Sequence, residues 1–241
     1  MDFFAEKSDL VTGLSFVRNA LEKRSTIPIL SHFLLEAEGF ELRLTATDLE
    51  ITARTTCQVK ARTKGSTVIP GLRFFEIVRS AEDGEIRCRS LENHSAQITY
   101  ARSSFKLVGL AKSDYPRFPT MPEPIAKVNA RLLADCVTRT SFAVSEEESR
   151  YVLNGALLKL NSDGVTMVAT DGHRLALAER KVQIPDVKAE FSVLLPRKAL
   201  TLLPRLAEDG DRDAVVEISK DESHLYFALG RRVLASRLLT G

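Results

Sequence analysis

Asp171 and His173 stand two residues apart in Ala169-Thr170-Asp171-Gly172-His173-Arg174-Leu175, and a carboxylate beside an imidazole is a pairing that general acid–base chemistry uses. Asp48 and Glu50, in Thr47-Asp48-Leu49-Glu50, offer two carboxylates to a hard cation. Catalysis needs more than a pair. The chain holds no nucleophile motif, no phosphate-binding glycine loop and no clustered set of metal ligands. Cys57, Cys88 and Cys136 are odd in number and lack C-x-x-C spacing, which argues against both a disulfide framework and a zinc site. His32, His94 and His224 are isolated and read as surface or core histidines. A non-enzymatic chain without a cofactor is expected.

The two acidic motifs are copies of one another. Ala46-Thr47-Asp48 recurs as Ala169-Thr170-Asp171, 123 positions later, and Ile29-Leu30-Ser31-His32-Phe33-Leu34-Leu35 recurs at the same spacing as Val152-Leu153-Asn154-Gly155-Ala156-Leu157-Leu158. Val68-Ile69-Pro70 matches Leu194-Leu195-Pro196, and Ala81-Glu82-Asp83-Gly84 recurs as Ala207-Glu208-Asp209-Gly210, both at a spacing of 126. Four blocks in one order at nearly constant spacing indicate tandem duplication, with a period the size of a domain. The aspartate recurs but Glu50 aligns with His173, so the shared residue reads as structural.

The same elements must position both motifs. Ser8 is expected to cap a helix with an apolar stripe of Leu10, Val11, Leu14, Val17 and Leu21, and Asn129 to cap one carrying Leu132, Leu133, Cys136 and Val137. Strands are expected over 33–37 and 40–46, joined across Glu38-Gly39, and over 156–160 and 165–169, joined through Ser162-Asp163-Gly164. A further strand follows each Ala-Thr-Asp. A short helix follows each proline, with Phe74, Phe75, Ile77 and Val78 in one copy and Leu200, Leu202, Leu203 and Leu206 in the other. Strands over 85–90 and 97–101, and over 214–219 and 225–228, close the copies. Residues 111–124 hold four of the nine prolines and read as an extended linker, giving domains over 1–120 and 121–241.

At 241 residues two domains are an ordinary expectation. No apolar run approaches the roughly 18 residues of a membrane span, and Met1-Asp2-Phe3-Phe4 does not open like a secretory signal. A reducing cytoplasm fits the cysteine usage. The net charge is +2, from 34 Lys and Arg against 32 Asp and Glu, so any DNA reading must rest on where the bases sit.

Arg24-Ser25-Thr26-Ile27-Pro28-Ile29-Leu30, Thr47-Asp48-Leu49-Glu50, Tyr115-Pro116-Arg117-Phe118-Pro119, Arg150-Tyr151-Val152-Leu153-Asn154-Gly155, the Thr-Asp-Gly-His-Arg-Leu block and Pro196-Arg197-Lys198 occur in the order found in bacterial DNA sliding clamps. The chain resembles the first two of the three domains of that family, the β subunit of DNA polymerase III. The resemblance implies an α+β fold with two tandem processivity-clamp domains, helices lining a channel and antiparallel sheets outside. It implies a non-catalytic processivity factor that encircles duplex DNA and tethers polymerase and repair proteins. A clamp-like scaffold that does not encircle DNA is the alternative. Leu238-Leu239-Thr240-Gly241 aligns with Leu110-Ala111-Lys112-Ser113, just before a linker, so a chain lacking its third domain is expected. Natural truncation and a two-domain clamp closing as a trimer are the other possibilities.

For double-stranded DNA the resemblance carries over Arg24, Arg73, Arg79, Arg150, Tyr151, Arg197, Lys198 and Arg205. Arg79 and Arg205 are repeat equivalents, and Lys198 and Arg205 lie two helical turns apart on one face. Such bases would meet phosphate and carry little sequence information. Glu146-Glu147-Glu148 beside Arg150 departs from this pattern and lowers local attraction for DNA. For short linear motifs of the polymerase, the clamp loader and repair proteins, the resemblance carries over Leu153, Thr170, Gly172, His173, Arg174 and Leu175. Leu153 and Leu175 would form apolar wall, Gly172 would allow close backbone approach, and His173 with Arg174 would form a polar rim.

Overall fold

The computed structural model describes residues 1–22, 26–147, 149–184, 187, 190–207 and 211–239. They form two compact units, Met1–Phe118 and Pro119–Gly241.

In the first unit β1 (Asp2–Glu6) runs directly into α1 (Lys7–Val17). Then follow β2 (His32–Glu38), β3 (Glu41–Thr47), β4 (Ile51–Gln58), β5 (Lys60–Thr63) and β6 (Gly65–Pro70), α2 (Gly71–Ser80), and β7 (Glu85–Ser90), β8 (Ala96–Tyr100) and β9 (Ser103–Leu107). The strands lie antiparallel in two orders, β5-β1-β7-β8-β9 and β4-β3-β2-β6. Period-two patterning sets the faces: in β4, Ile51, Ala53, Thr55 and Cys57 are buried while their neighbours are more exposed. Helix α1 buries Leu10, Gly13, Leu14 and Val17 against β3, β4 and α2.

The second unit repeats this plan with β10 (Ala126–Asn129), α3 (Ala130–Thr140), β11 (Gly155–Asn161), β12 (Gly164–Thr170), β13 (Leu175–Lys181), β14 (Phe191–Pro196), α4 (Arg197–Leu206), β15 (Val215–Lys220), β16 (His224–Leu229) and β17 (Arg232–Arg237). Its strand orders, β10-β15-β16-β17 and β13-β12-β11-β14, reproduce those of the first unit. Among the described residues only β5 lacks a counterpart. The duplication read from four sequence blocks is thus a duplication of topology.

Several local expectations need correction. Ser8 lies inside α1; Glu6 takes the capping position, and its side chain makes no capping bond. The cause is β1, too short to announce itself, which delivers the chain into the helix without a break. Asn129 does cap α3, its Oδ1 accepting from Arg131 N at 3.0 Å and Leu132 N at 3.1 Å. Val11 and Leu132 are only half-buried, and Leu21 is buried beyond the end of α1. Strands β1, β5, β6, β9, β10, β14 and β17 are additions to the expected set.

The proline-rich segment is not extended from its start. Lys112–Asp114 form a 3₁₀ turn, and Tyr115 packs with Ile29, Leu30, Leu34 and Val68. Its hydroxyl reaches the carbonyls of Thr45 at 3.0 Å and His32 at 3.2 Å, while the Arg54 guanidinium sits 3.6 Å from the Phe118 ring centroid. At the other end the repeat register shifts by one. Leu110 bridges Val68 and Leu239 bridges Leu194, so Leu239, not Leu238, corresponds to Leu110.

Candidate DNA and peptide interfaces

Both Thr-Asp motifs fold into the same turn. In the first unit Thr47 Oγ1 donates to Ile51 O at 3.0 Å and accepts from Leu49 N, while Asp48 Oδ1 accepts from Glu50 N and Ile51 N. In the second, Thr170 Oγ1 donates to Arg174 O at 2.7 Å and accepts from Gly172 N, while Asp171 Oδ1 accepts from His173 N and Arg174 N. The aspartate is therefore a turn former in both copies. Asp171 adds an ion pair, Oδ2 to Arg174 Nε at 2.9 Å. The backbone donors of Arg174 and His173, reinforced by the Arg174 side chain, hold its carboxyl down at about 2. Both carboxylate oxygens are thus engaged within the turn, Oδ1 by two backbone donors and Oδ2 by the Arg174 side chain.

This turn borders a cleft of about 380 Å³ in the second unit, lined by Phe142, Val144, Ser145, Glu146, Asp171, His173, Arg174 and Arg197 among others. Phe142 is 58% exposed, and the Arg174 guanidinium lies 5.5 Å from its ring centroid. Of the six residues expected at a peptide pocket, His173 and Arg174 border the cleft. Thr170 and Gly172 build the turn behind it, with Gly172 at φ +90°. Leu175 is 65% exposed at the head of β13, and Leu153 is half-buried at the end of the Tyr151–Leu153 3₁₀ turn. Phe142, Val144 and Ser145, just beyond the end of α3, also line the cleft, and no motif in the sequence marks them.

The bases expected at DNA fall into two groups. Arg73 and Arg79 are exposed on α2, Lys198 is exposed on α4, and Arg205 is half-buried on α4. Arg150 and Arg197 are instead drawn into the cleft region. Arg150 Nε pairs with Glu147 at 2.9 Å and its Nη1 donates to Asp171 O at 3.1 Å, while Arg197 Nη2 meets Glu146 Oε1 at 2.5 Å. The acidic run next to Arg150 therefore engages two of the expected arginines. Tyr151 is 51% exposed. Arg24 lies outside the described residues.

A helix pair backed by two antiparallel sheets, built twice in tandem, defines a protein of the sliding-clamp class. The family model described as DNA polymerase III beta subunit, N-terminal domain, matches residues 1–119, and that described as the central domain matches residues 127–241. The chain belongs to the DNA polymerase III beta-subunit family. It is 33% identical over 243 residues to the beta sliding clamp of Chlamydia muridarum, covering all of this chain and 65% of that protein. It is likewise 33% identical over 247 residues to that of Pseudomonas aeruginosa, again covering 65% of the relative. Among solved structures, the sliding clamp from Bacillus subtilis superposes with a TM-score of 0.93 at 30% identity, and the DNA polymerase III subunit beta from P. aeruginosa with 0.91 at 32%. Each match covers 100% of this chain and 65% of the other. The chain thus spans just under two thirds of the length of these relatives.

Proposed function

We propose that this chain supplies two clamp domains of a non-catalytic processivity factor, which tethers a replicative polymerase to duplex DNA. The observation that carries this reading is the repeated helix α2/α4, which holds bases at equivalent places, Arg79 and Arg205, within a family match running the length of the chain. Arg73, Arg79, Lys198 and Arg205 meet phosphate oxygens without reading sequence, which suits sliding. Processivity comes from topology: a closed ring keeps the polymerase at high effective concentration without tight binding. Closure is by a ring of two three-domain subunits, and an external ATP-driven loader opens it. The cleft at His173 and Arg174 takes short linear motifs of the polymerase, loader and repair proteins. The setting is the cytoplasm, at the nucleoid.

The test is duplex binding as a function of salt, for the chain and for Lys198→Ala/Arg205→Ala. Each lost phosphate contact reduces the slope of log K against log salt by about 0.9, so the double variant is expected to lose up to about 1.8. An unchanged slope sinks the assignment of these two bases. Mass measurement in solution decides closure: a trimer of this chain overturns the ring of two three-domain subunits.

A further inference from the structure

We propose that the first unit carries a docking groove for a basic, apolar peptide segment of another protein, floored by Phe4 and Phe40 and rimmed by Glu6, Asp9 and Glu85. The groove has a volume of about 350 Å³. Phe40 is 78% exposed at the corner of the β2–β3 hairpin. The corner is held firmly: Gly39 O accepts from Ala61 N at 2.9 Å and Phe40 O from Val59 N at 3.0 Å. Burying this ring inside the unit is therefore not an alternative open to it.

The duplication supplies an internal control. At an offset of 123 the second unit makes the same backbone bonds, Ser162 O with Ile184 N at 2.9 Å and Asp163 O with Val182 N at 3.0 Å. At that offset Phe40 becomes Asp163, Phe4 becomes Lys127, Glu6 becomes Asn129 and Asp9 becomes Leu132. Glu85, cross-strand partner of Glu6, is replaced by Val215, cross-strand partner of Asn129. The fold thus forms with none of the five groove residues, so the aromatic corner and the acids answer to something other than folding.

They also work against it. Glu6 and Glu85 face each other directly across β1 and β7, a like-charge arrangement that destabilises a strand pair. Glu6 forgoes the helix cap that Asn129 provides. Among the described residues, none of Glu6, Asp9 and Glu85 is in an ion pair. Among those bordering the groove, Lys60 is the one cation, so three carboxylates face one ammonium. Arg62 and Arg87 cover Phe4 without bordering the groove, and Arg87 is held by Asp2 through bonds of 2.9 and 2.6 Å. No group of three metal ligands is formed among the described residues. A Lys or Arg side chain placed between Glu6 and Glu85 removes their repulsion, while a neighbouring bulky apolar side chain covers Phe40. An acidic partner is repelled.

Fluorescence anisotropy with fluorescein-labelled Lys-Arg-Ile-Phe-Arg-Lys, added to the full chain at low ionic strength, tests this. Saturable binding is expected, with none for Glu-Glu-Ile-Phe-Glu-Glu. Phe40→Asp and Glu6→Asn, the residues of the second unit, are each expected to weaken it about tenfold or more. Arg174→Ala in the cleft of the second unit leaves it unchanged. Glu6→Asn should also raise Tm, by restoring a cap and ending the repulsion, so that its loss of binding is not a loss of folding. Absence of binding by the intact chain, indifference to Phe40→Asp, or loss in Arg174→Ala alone overturns the proposal.

Discussion

Asp171 holds Arg174 twice, its Oδ1 accepting the Arg174 backbone N–H and its Oδ2 the side-chain Nε, both at 2.9 Å. With the His173 N–H as a third donor, the carboxyl falls from 3.8 to about 2. The folded value lies below the unfolded one. The turn's electrostatic support is therefore complete above the unfolded value of 3.8 and is lost as pH falls through about 2. Carbon-detected NMR titration of the Asp171 carboxyl should give a midpoint near 2, raised only partly by Arg174→Ala because backbone donors are the larger cause. A wild-type midpoint at 3.8 contradicts this geometry.

Gly172 and Leu49 occupy one turn position at φ +90° and +78°. A Cβ on Gly172 takes on left-handed strain and lies 3.0 Å from Arg150 Nη1. Gly172→Ala should cost about 1–2 kcal/mol in urea unfolding. Leu49→Gly, which relieves the same strain, should change stability by no more than about 1 kcal/mol. Equal costs for both would mean that the positive φ is not what the position demands.

Gly13 lets α1 lie close on β3 and β4. A Cβ there overlaps Cys57 Sγ and comes within 3.0 Å of Leu44 Cδ1. Helix propensity alone favours Gly13→Ala by about 1 kcal/mol, but overpacking of about 1–3 kcal/mol opposes it. Net destabilisation is expected in chemical denaturation, reversed when Cys57→Ala is combined with it. A Gly13→Ala variant more stable than the parent would show that α1 can shift away freely.

Glu146 and Glu147 engage Arg197 and Arg150. Glu146→Gln releases Arg197. Duplex affinity at low salt should then rise, and the salt slope should steepen by about 0.9 for the one arginine set free. If affinity rises without a change in slope, Arg197 does not meet phosphate.

Much of the fold was legible in the sequence because its signals are local and stated twice. The helices after Pro70 and Pro196, the cap at Asn129 and the paired hairpins follow from spacing within a dozen residues. The structural role of Asp48 and Asp171 could be read from their recurrence alone. Strands β1 and β10 were not legible because each runs without a gap into the helix that follows, so no turn separates the two patterns. That is why Ser8 was read as a cap.

The sequence by itself determined the duplication, the helices after Pro70 and Pro196, the central hairpins and the turn at each Thr-Asp, since backbone bonds between residues two to four apart depend on little else. Only the tertiary structure decided which cations face outward and which are engaged. Arg73 and Arg197 look alike as sequence and both are exposed, yet Arg197 is bound by Glu146, fifty-one residues away. It also decided that Tyr115 belongs to the first unit's core and that Glu6 confronts Glu85. Coulomb interaction and burial depend on distance through space, which chain spacing does not record once strands from distant segments pair.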